Sequence, residues 1–176
     1  QWWGDEVNEL GEAFYALSPS GQKLAVKGIH ELMNWQREDG TLYAPVPAGN
    51  WDKELPLQML ASIGWYGFYT QYYYSADSSF VPVIYDRMRC YLHEVWQVDK
   101  SGLVIERQGA WSWGDWGEHV DMGVLTNCWY YLALKAERAF ALQLGKDKDA
   151  DEISQMMRSI ERCFDTKFWT GSAYRS

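Results

Sequence analysis

At 176 residues, 47% hydrophobic and 16% aromatic, the chain can bury one core and is too apolar to be a disordered tail. A net charge of -8 and a pI near 4.8, with no Lys/Arg cluster, argue against a nucleic-acid partner. No apolar run approaches the roughly 20 residues of a membrane-spanning helix, so no membrane partner is expected.

In chain order, Val7, Leu10, Phe14 and Leu17 step by three and four, which predicts a first helix over 5–17. Ser18-Pro19-Ser20-Gly21 ends it and can open the next, with Ser18 as N-cap and Pro19 at the first helical position. The second helix runs to about 37, turning Ala25, Ile29, Leu32 or Met33, and Gln36 inward and Lys23, Lys27, Glu31 and Arg37 outward. A long connector over 38–53 carries Asp39-Gly40, two prolines, Gly49-Asn50 and Trp51-Asp52. The third helix, 54–74, has almost no polar face and is expected to be buried nearly all round; its Tyr72-Tyr73-Tyr74 run reads as packing between hairpins. After a turn at 75–78 the fourth helix, 79–98, points Val81, Ile84, Met88, Tyr91 or Leu92, and Val95 inward, and Arg87, Arg89, His93 and Glu94 outward.

A second long connector, 99–120, includes a candidate strand at 103–106. The fifth helix, 121–144, is apolar from Met122 through Leu134 and reads as interior. The sixth follows a turn at 145–148, with an Asp149/Glu152 capping box and Ile153, Met157, Ile160 and Phe164 inward. Cys90, Cys128 and Cys163 fall inside helices without metal-ligand spacing and read as reduced, mostly packed thiols. No metal and no cofactor are expected: His30, His93 and His119 are single, and neither a phosphate-cradling glycine loop nor a Gly-x-Ser-x-Gly elbow is present.

The stretch 109–121 sets Trp111, Trp113 and Trp116 among Asp115, Glu118, His119 and Asp121. Indole faces stack on the C–H faces of sugar rings, and carboxylates accept hydrogen bonds from hydroxyls and move protons, so this reads as a carbohydrate site. The competing reading is a rigid plug at the end of a helical core. Six helices with short turns within pairs and long connectors between them make three antiparallel hairpins. If the short turns share one end, the connectors share the other, with the starts of helices one, three and five. Each pair opens alike, with Trp3-Gly4-Asp5, Trp51-Asp52 and Trp113-Gly114-Asp115. The expected fold is all-α, antiparallel helical hairpins making about half of an (α/α)6 toroid, with helices one, three and five inside. Residues 1–176 would be a partial domain truncated at both ends, its open flank covered by the rest of the parent or by self-association.

These residues resemble the six-hairpin glycosidases, and among them the α-L-rhamnosidases of glycoside hydrolase family 78. Gln1-Trp2-Trp3-Gly4-Asp5 is similar to the end of the family signature Cys-Pro-x-Arg-Glu…Trp-x-Gly-Asp; Trp113-Gly114-Asp115-Trp116, Trp129-Tyr130-Tyr131, Leu144-Gly145 and Phe168-Trp169-Thr170-Gly171 add support. The resemblance implies hydrolysis of terminal α-L-rhamnosides with inversion, by an acid and a base glutamate that both lie outside this chain. It implies that Asp5 is a supporting carboxylate against the sugar hydroxyls and that Trp2 borders the sugar. Trp51, Trp111, Trp113 and Trp116 match the pocket aromatics in type and approximate place, and Asp115 and Glu118 join them as sugar-contacting candidates. From the residues alone, Asp5 and Asp121 are equally helix N-caps, and Asp115 with Glu118 is an alternative acid and base pair. The partner expected is a saccharide, the chain alone is expected to be inert, and a periplasmic or secreted location is favoured over a cytoplasmic one. The alternative is a non-catalytic saccharide-binding or scaffold domain of the same helical-toroid kind.

Overall fold

The computed structural model describes residues 2–48, 53–107, 114 and 117–176. The helices are α1 (Trp3–Ala16), α2 (Gln22–Asn34), α3 (Pro56–Ile63), α4 (Thr70–Ser75), α5 (Val81–Cys90), α6 (Met122–Gln143) and α7 (Asp147–Phe168). A π-helical segment, Trp65–Tyr69, joins α3 to α4, and a second, Tyr91–Val95, prolongs α5. The backbone therefore runs as six rods in three hairpins, the all-α architecture expected. α3 packs between α1 and α6, α2 lies on α5, and α7 lies along α6. The candidate strand at 103–106 reduces to an isolated bridge between Val104 and Val98.

The third rod is the centre of the core, and it is not one continuous α-helix. Every α3 residue except Gln58 is buried, as its lack of a polar face demands. At Gly64 the α-helix stops, with ψ at -152°. A Cβ on Gly64 would lie 2.5 Å from the Leu60 carbonyl and 2.9 Å from the Ala133 Cα of α6; one on Gly67 would lie 1.9 Å from the Ser62 carbonyl. The two glycines let the backbone widen locally into the π-helical turn and let α3 and α6 meet almost main chain to main chain. Apolar periodicity carries no trace of such a break, which is why it reads as one helix.

Other boundaries move for local reasons. Ser18 does not cap α2: residues 18–21 form turns of i to i+3 bonds, from Gly21 N–H to Ser18 O at 2.8 Å and from Lys23 N–H to Ser20 O at 3.2 Å, and the helix opens after Gly21. The Asp149/Glu152 capping box does not form. α7 starts at Asp147, and both acids turn to α5: Tyr85 donates to Asp149 at 2.9 Å, and Arg89 pairs with Glu152. Asp121 does cap α6, accepting from Val124 N–H at 3.0 Å. α6 is interior only in part, since Cys128 is exposed and Trp129, Tyr131 and Leu132 are half-buried. The three cysteines are free, none fully buried.

His93 and Arg89 do not face water as expected. They turn onto Glu137, whose side chain is wholly buried in α6: His93 Nε2 lies 2.9 Å from both carboxylate oxygens and Arg89 Nη1 3.5 Å from Oε1. The i, i+4 pattern of α6 hides this acid among apolar residues. Burial drives the Glu137 carboxyl above its ordinary value, against the opposing pull of His93 and Arg89.

Two outcomes follow from this packing. Gly67→Ala should cost about 3 kcal/mol or more in chemical denaturation, because a backbone carbonyl cannot yield. Gly145→Ala, at φ +68° in open space, should cost only about 1 kcal/mol. For Glu137 the folded carboxyl binds its proton more tightly than the unfolded one. Its contribution is therefore full below the ordinary value of 4.5 and is lost as pH rises through the folded value. Stability of the unaltered protein relative to Glu137→Gln should fall with rising pH above about 4.5 and then level off, as read by urea midpoints across pH.

Candidate functional site

The start of α1 and both long connectors meet at one end of the hairpins. Trp3 N–H donates to Ala44 O at 2.9 Å, Ala44 N–H donates to Lys53 O at 3.2 Å, and Trp2 bridges to Pro45. The first connector runs extended there, with Leu42, Ala44, Val46 and Ala48 buried at alternate positions, so one edge of it seals the core. The short turns gather at the other end, where Tyr72 donates to Gln143 at 3.1 Å and Phe14 packs on Tyr74 at 5.1 Å.

Polar side chains fasten the second connector in place. Asn127 of α6, 1% exposed, accepts from Val104 N–H at 2.8 Å and donates to Val104 O at 3.3 Å and to Gly123 O at 3.0 Å. It thus supplies Val104 with the hydrogen bonds a neighbouring strand would give. Asp99 folds the connector's first turn, accepting from the Ser101 hydroxyl at 2.5 Å, Ser101 N–H at 2.8 Å and Leu103 N–H at 3.1 Å, and these bonds, the hydroxyl's foremost, hold its carboxyl below the ordinary range. Across the connectors, Arg107 Nη2 lies 2.8 Å from Glu54 Oε2, and Tyr91 donates to Glu54 Oε1 at 2.7 Å. Burial and that acceptor push the Tyr91 hydroxyl well above its usual range.

Asp5 lies in the first turn of α1, not at its cap; Trp2 is the N-cap, and Asp5 N–H donates to Trp2 O at 3.1 Å. The Asp5 carboxylate is exposed and makes no hydrogen bond or ion pair among the described residues, at a helix start whose dipole favours an anion. Trp2 is 38% exposed beside it, whereas Trp3 is a core residue packed edge-on to Phe68 at 5.8 Å. Glu118 and His119 are exposed in a turn before α6. Trp51, Trp111, Trp113, Asp115 and Trp116 lie outside the described residues. Their described neighbours belong to this end: Glu54 and Arg107 in the ion pair, and Gly114, where a Cβ would lie 2.5 Å from Val120 and 2.8 Å from Met122 at the start of α6. The Glu6 carboxyl is raised above its ordinary value, by burial first and Glu9 second. It lies toward Gly28 of α2.

The start of α1 and the described parts of both connectors thus converge on one end of an all-α set of hairpins, and the matching family is one of that architecture. The family described as the bacterial alpha-L-rhamnosidase 6 hairpin glycosidase domain matches residues 1–175. The chain belongs to this family. No curated protein and no solved structure matches it.

For a glycosidase domain the end just described is chemically apt: an exposed indole, Trp2, and the exposed carboxylates of Asp5 and Glu118 stand beside connectors that buried polar contacts hold. Its substrate is a saccharide. Among the described residues no group of three or more His, Cys, Asp or Glu could hold a metal, and no helix is long and apolar enough to cross a membrane. Sequence reading did not find the roles of Asn127, Tyr91 and Arg107. Asn127 stands as a polar residue inside the apolar half of α6, and Arg107 as a cation just ahead of a tryptophan-rich stretch; those were the available signals. Asn127→Ala would leave both main-chain groups of Val104 without these partners and should cost about 2 to 3 kcal/mol of stability in chemical denaturation.

Proposed function

We propose that the intact protein is an inverting glycoside hydrolase that removes terminal α-L-rhamnosyl residues. The observation that carries this reading is the family match over residues 1–175, which takes in the Trp2-Trp3-Gly4-Asp5 opening at the connector end. Inversion requires one carboxylic acid to protonate the leaving oxygen and a carboxylate on the opposite face of the ring to activate water, roughly 6.5 to 9.5 Å apart. By the resemblance to family 78 both glutamates lie outside this chain. Asp5 then holds and polarises sugar hydroxyls, with its exposed carboxylate at the positive end of α1 suited to that task. Trp2, Trp51, Trp111, Trp113 and Trp116 border the sugar, and Asp115 and Glu118 accept from its hydroxyls.

Apolar side chains stand out on the first and last hairpins: Tyr15 and Leu24 on α1 and α2, and on α6 and α7 a cleft of 420 Å³ lined by Cys128, Tyr131, Leu132 and Phe164. Further hairpins of the parent, or a second copy, cover them in this reading. The acidic composition suits a periplasmic or secreted enzyme.

The test is turnover of an aryl α-L-rhamnoside by the intact protein, with proton NMR of the first product. Release of β-L-rhamnose is expected, and Asp5→Asn should lower kcat/KM about a hundredfold with thermal stability retained. Initial release of the α-anomer would overturn inversion. Binding of L-rhamnose without turnover would favour the non-catalytic saccharide-binding alternative. The 176-residue chain alone should bind sugar weakly and turn nothing over.

A further inference from the structure

We propose that Arg107 and Glu54 form a positioning clamp that sets the two connectors of the sugar-binding end in register with each other. The proposal rests on the rhamnoside reading above, because it assigns the clamp to the segments that bear the sugar-contacting candidates. Glu54 stands two residues after Asp52 and three after Trp51; Arg107 stands four residues before Trp111. The pair therefore joins the two connectors close to the residues expected to touch sugar.

Its construction is that of a fixed fastener. The Glu54 side chain is 5% exposed and the Arg107 side chain 17%. Each carboxylate oxygen has its own donor, Arg107 Nη2 at 2.8 Å on Oε2 and Tyr91 at 2.7 Å on Oε1. Tyr91 is completely buried, and it enters from the π-helical end of the fourth rod, against Trp96 at 6.2 Å. The guanidinium lies over the Trp96 indole at 5.3 Å, so its plane as well as its charge is held. Asp39 of the first connector adds a second negative charge toward Arg107.

Stability alone does not account for this arrangement. Desolvating two ions costs several kcal/mol each, and an apolar pair of similar volume is commonly as stable or more so. Among the described residues Arg107 Nη1 is moreover buried with no hydrogen-bond partner, a loss that a purely stabilising contact would avoid. What this ion pair supplies beyond an apolar pair is one geometry: the Nη2 contact on Oε2, the Tyr91 hydroxyl on Oε1 and the indole beneath the guanidinium fix carboxylate and cation together, whereas apolar side chains slide. Inaccessible Nη1 and the buried Tyr91 hydroxyl keep both groups off the substrate, so the clamp acts through the segments it holds.

The decisive variant is the double change Arg107→Met/Glu54→Gln in the intact protein, which removes both charges, leaves none bare, and keeps an acceptor for Tyr91. Arg107→Met alone strands a buried carboxylate and serves as the stability control. Expected for the double variant are a Tm close to the unaltered protein, a KM for aryl α-L-rhamnoside and a Kd for L-rhamnose raised about tenfold, and kcat within about twofold. Arg107→Lys, which keeps the charge without the fork, should fall between. Unaltered KM and Kd in the double variant would overturn the clamp. Amide exchange of peptides spanning 49–54 and 107–116 reads it without sugar: faster exchange at unchanged Tm supports the clamp, and unchanged exchange overturns it. If the unaltered protein neither binds L-rhamnose nor cleaves the rhamnoside, the rhamnoside reading fails, and the exchange result alone then decides the clamp.

Discussion

The arrangement of the hairpins depends on the approach of the third rod to α6. Gly64 presents no side chain and Ala133 only a methyl, so the two inner rods sit with a virtual Cβ of one 2.9 Å from the Cα of the other. That spacing leaves large side chains nowhere to go except above and below the contact. Phe68 meets the edge of Trp3 on the α1 side, and Tyr69 meets Phe140 at 6.1 Å on the α6 side. The π-helical segment follows from the same constraint. A main chain pressed this closely against its neighbour, with Ser62 O in the space a Cβ at position 67 would need, widens its turn, and the Thr70 hydroxyl donates to Trp65 O at 3.0 Å within it. Trp65 then stacks on Tyr69 at 3.9 Å.

Around that contact the molecule divides by chemistry along its length. The middle of the core is aromatic and aliphatic and needs no direction. The connector end cannot be built that way, because an irregular chain crossing a core brings main-chain groups that must be paired. Asn127 pairs those of Val104, the Asp99 carboxylate closes a turn, and the start of α1 lends Trp3 N–H to the first connector. Glu137, deeper along α6, shows the cost of a carboxylate inside: His93 and Arg89 both reach it, yet burial still dominates its proton affinity.

Much of the architecture was legible in the sequence because it rests on periodicity. Ala25, Ile29, Leu32 and Met33 in α2, and Ile153 and Ile160 in α7, are buried where steps of three and four put them. The alternation of short turns and long connectors gave the hairpins, and with them the gathering of connectors at one end. What periodicity cannot carry is the backbone's closest contacts and its long-range polar pairs. Gly64 and Gly67 read as tolerated interruptions in an apolar run, and their function appears only when Ala133 and Ser62 O are placed beside them. His93 and Arg89 read as a wet face because their partner, Glu137, sits 44 residues or more along the chain from either. For the site, composition named the residue types, and the signature fragment named Asp5. The tie between Glu54 and Arg107 spans two connectors, and no local pattern encodes it.

A carbohydrate site of this kind has to reconcile two demands. Sugar rings are recognised by exposed indoles and carboxylates, groups that gain little from folding and that a core would not otherwise leave at its surface. Such groups therefore sit on connectors, and connectors lack the repeating hydrogen bonds that keep a helix in place. The solution visible here is to spend one edge of the connector on the core and to fix the rest by single buried side chains. Leu42, Ala44, Val46 and Ala48 anchor the first connector from below; Asn127 holds the second at Val104. Both holds lie outside the tryptophan-bearing stretches, so stability and the proposed recognition rest on separate residues. In the rhamnoside reading proposed above, changes among the tryptophans would alter what is bound while leaving the platform intact, the condition under which one helical-hairpin framework serves different sugars.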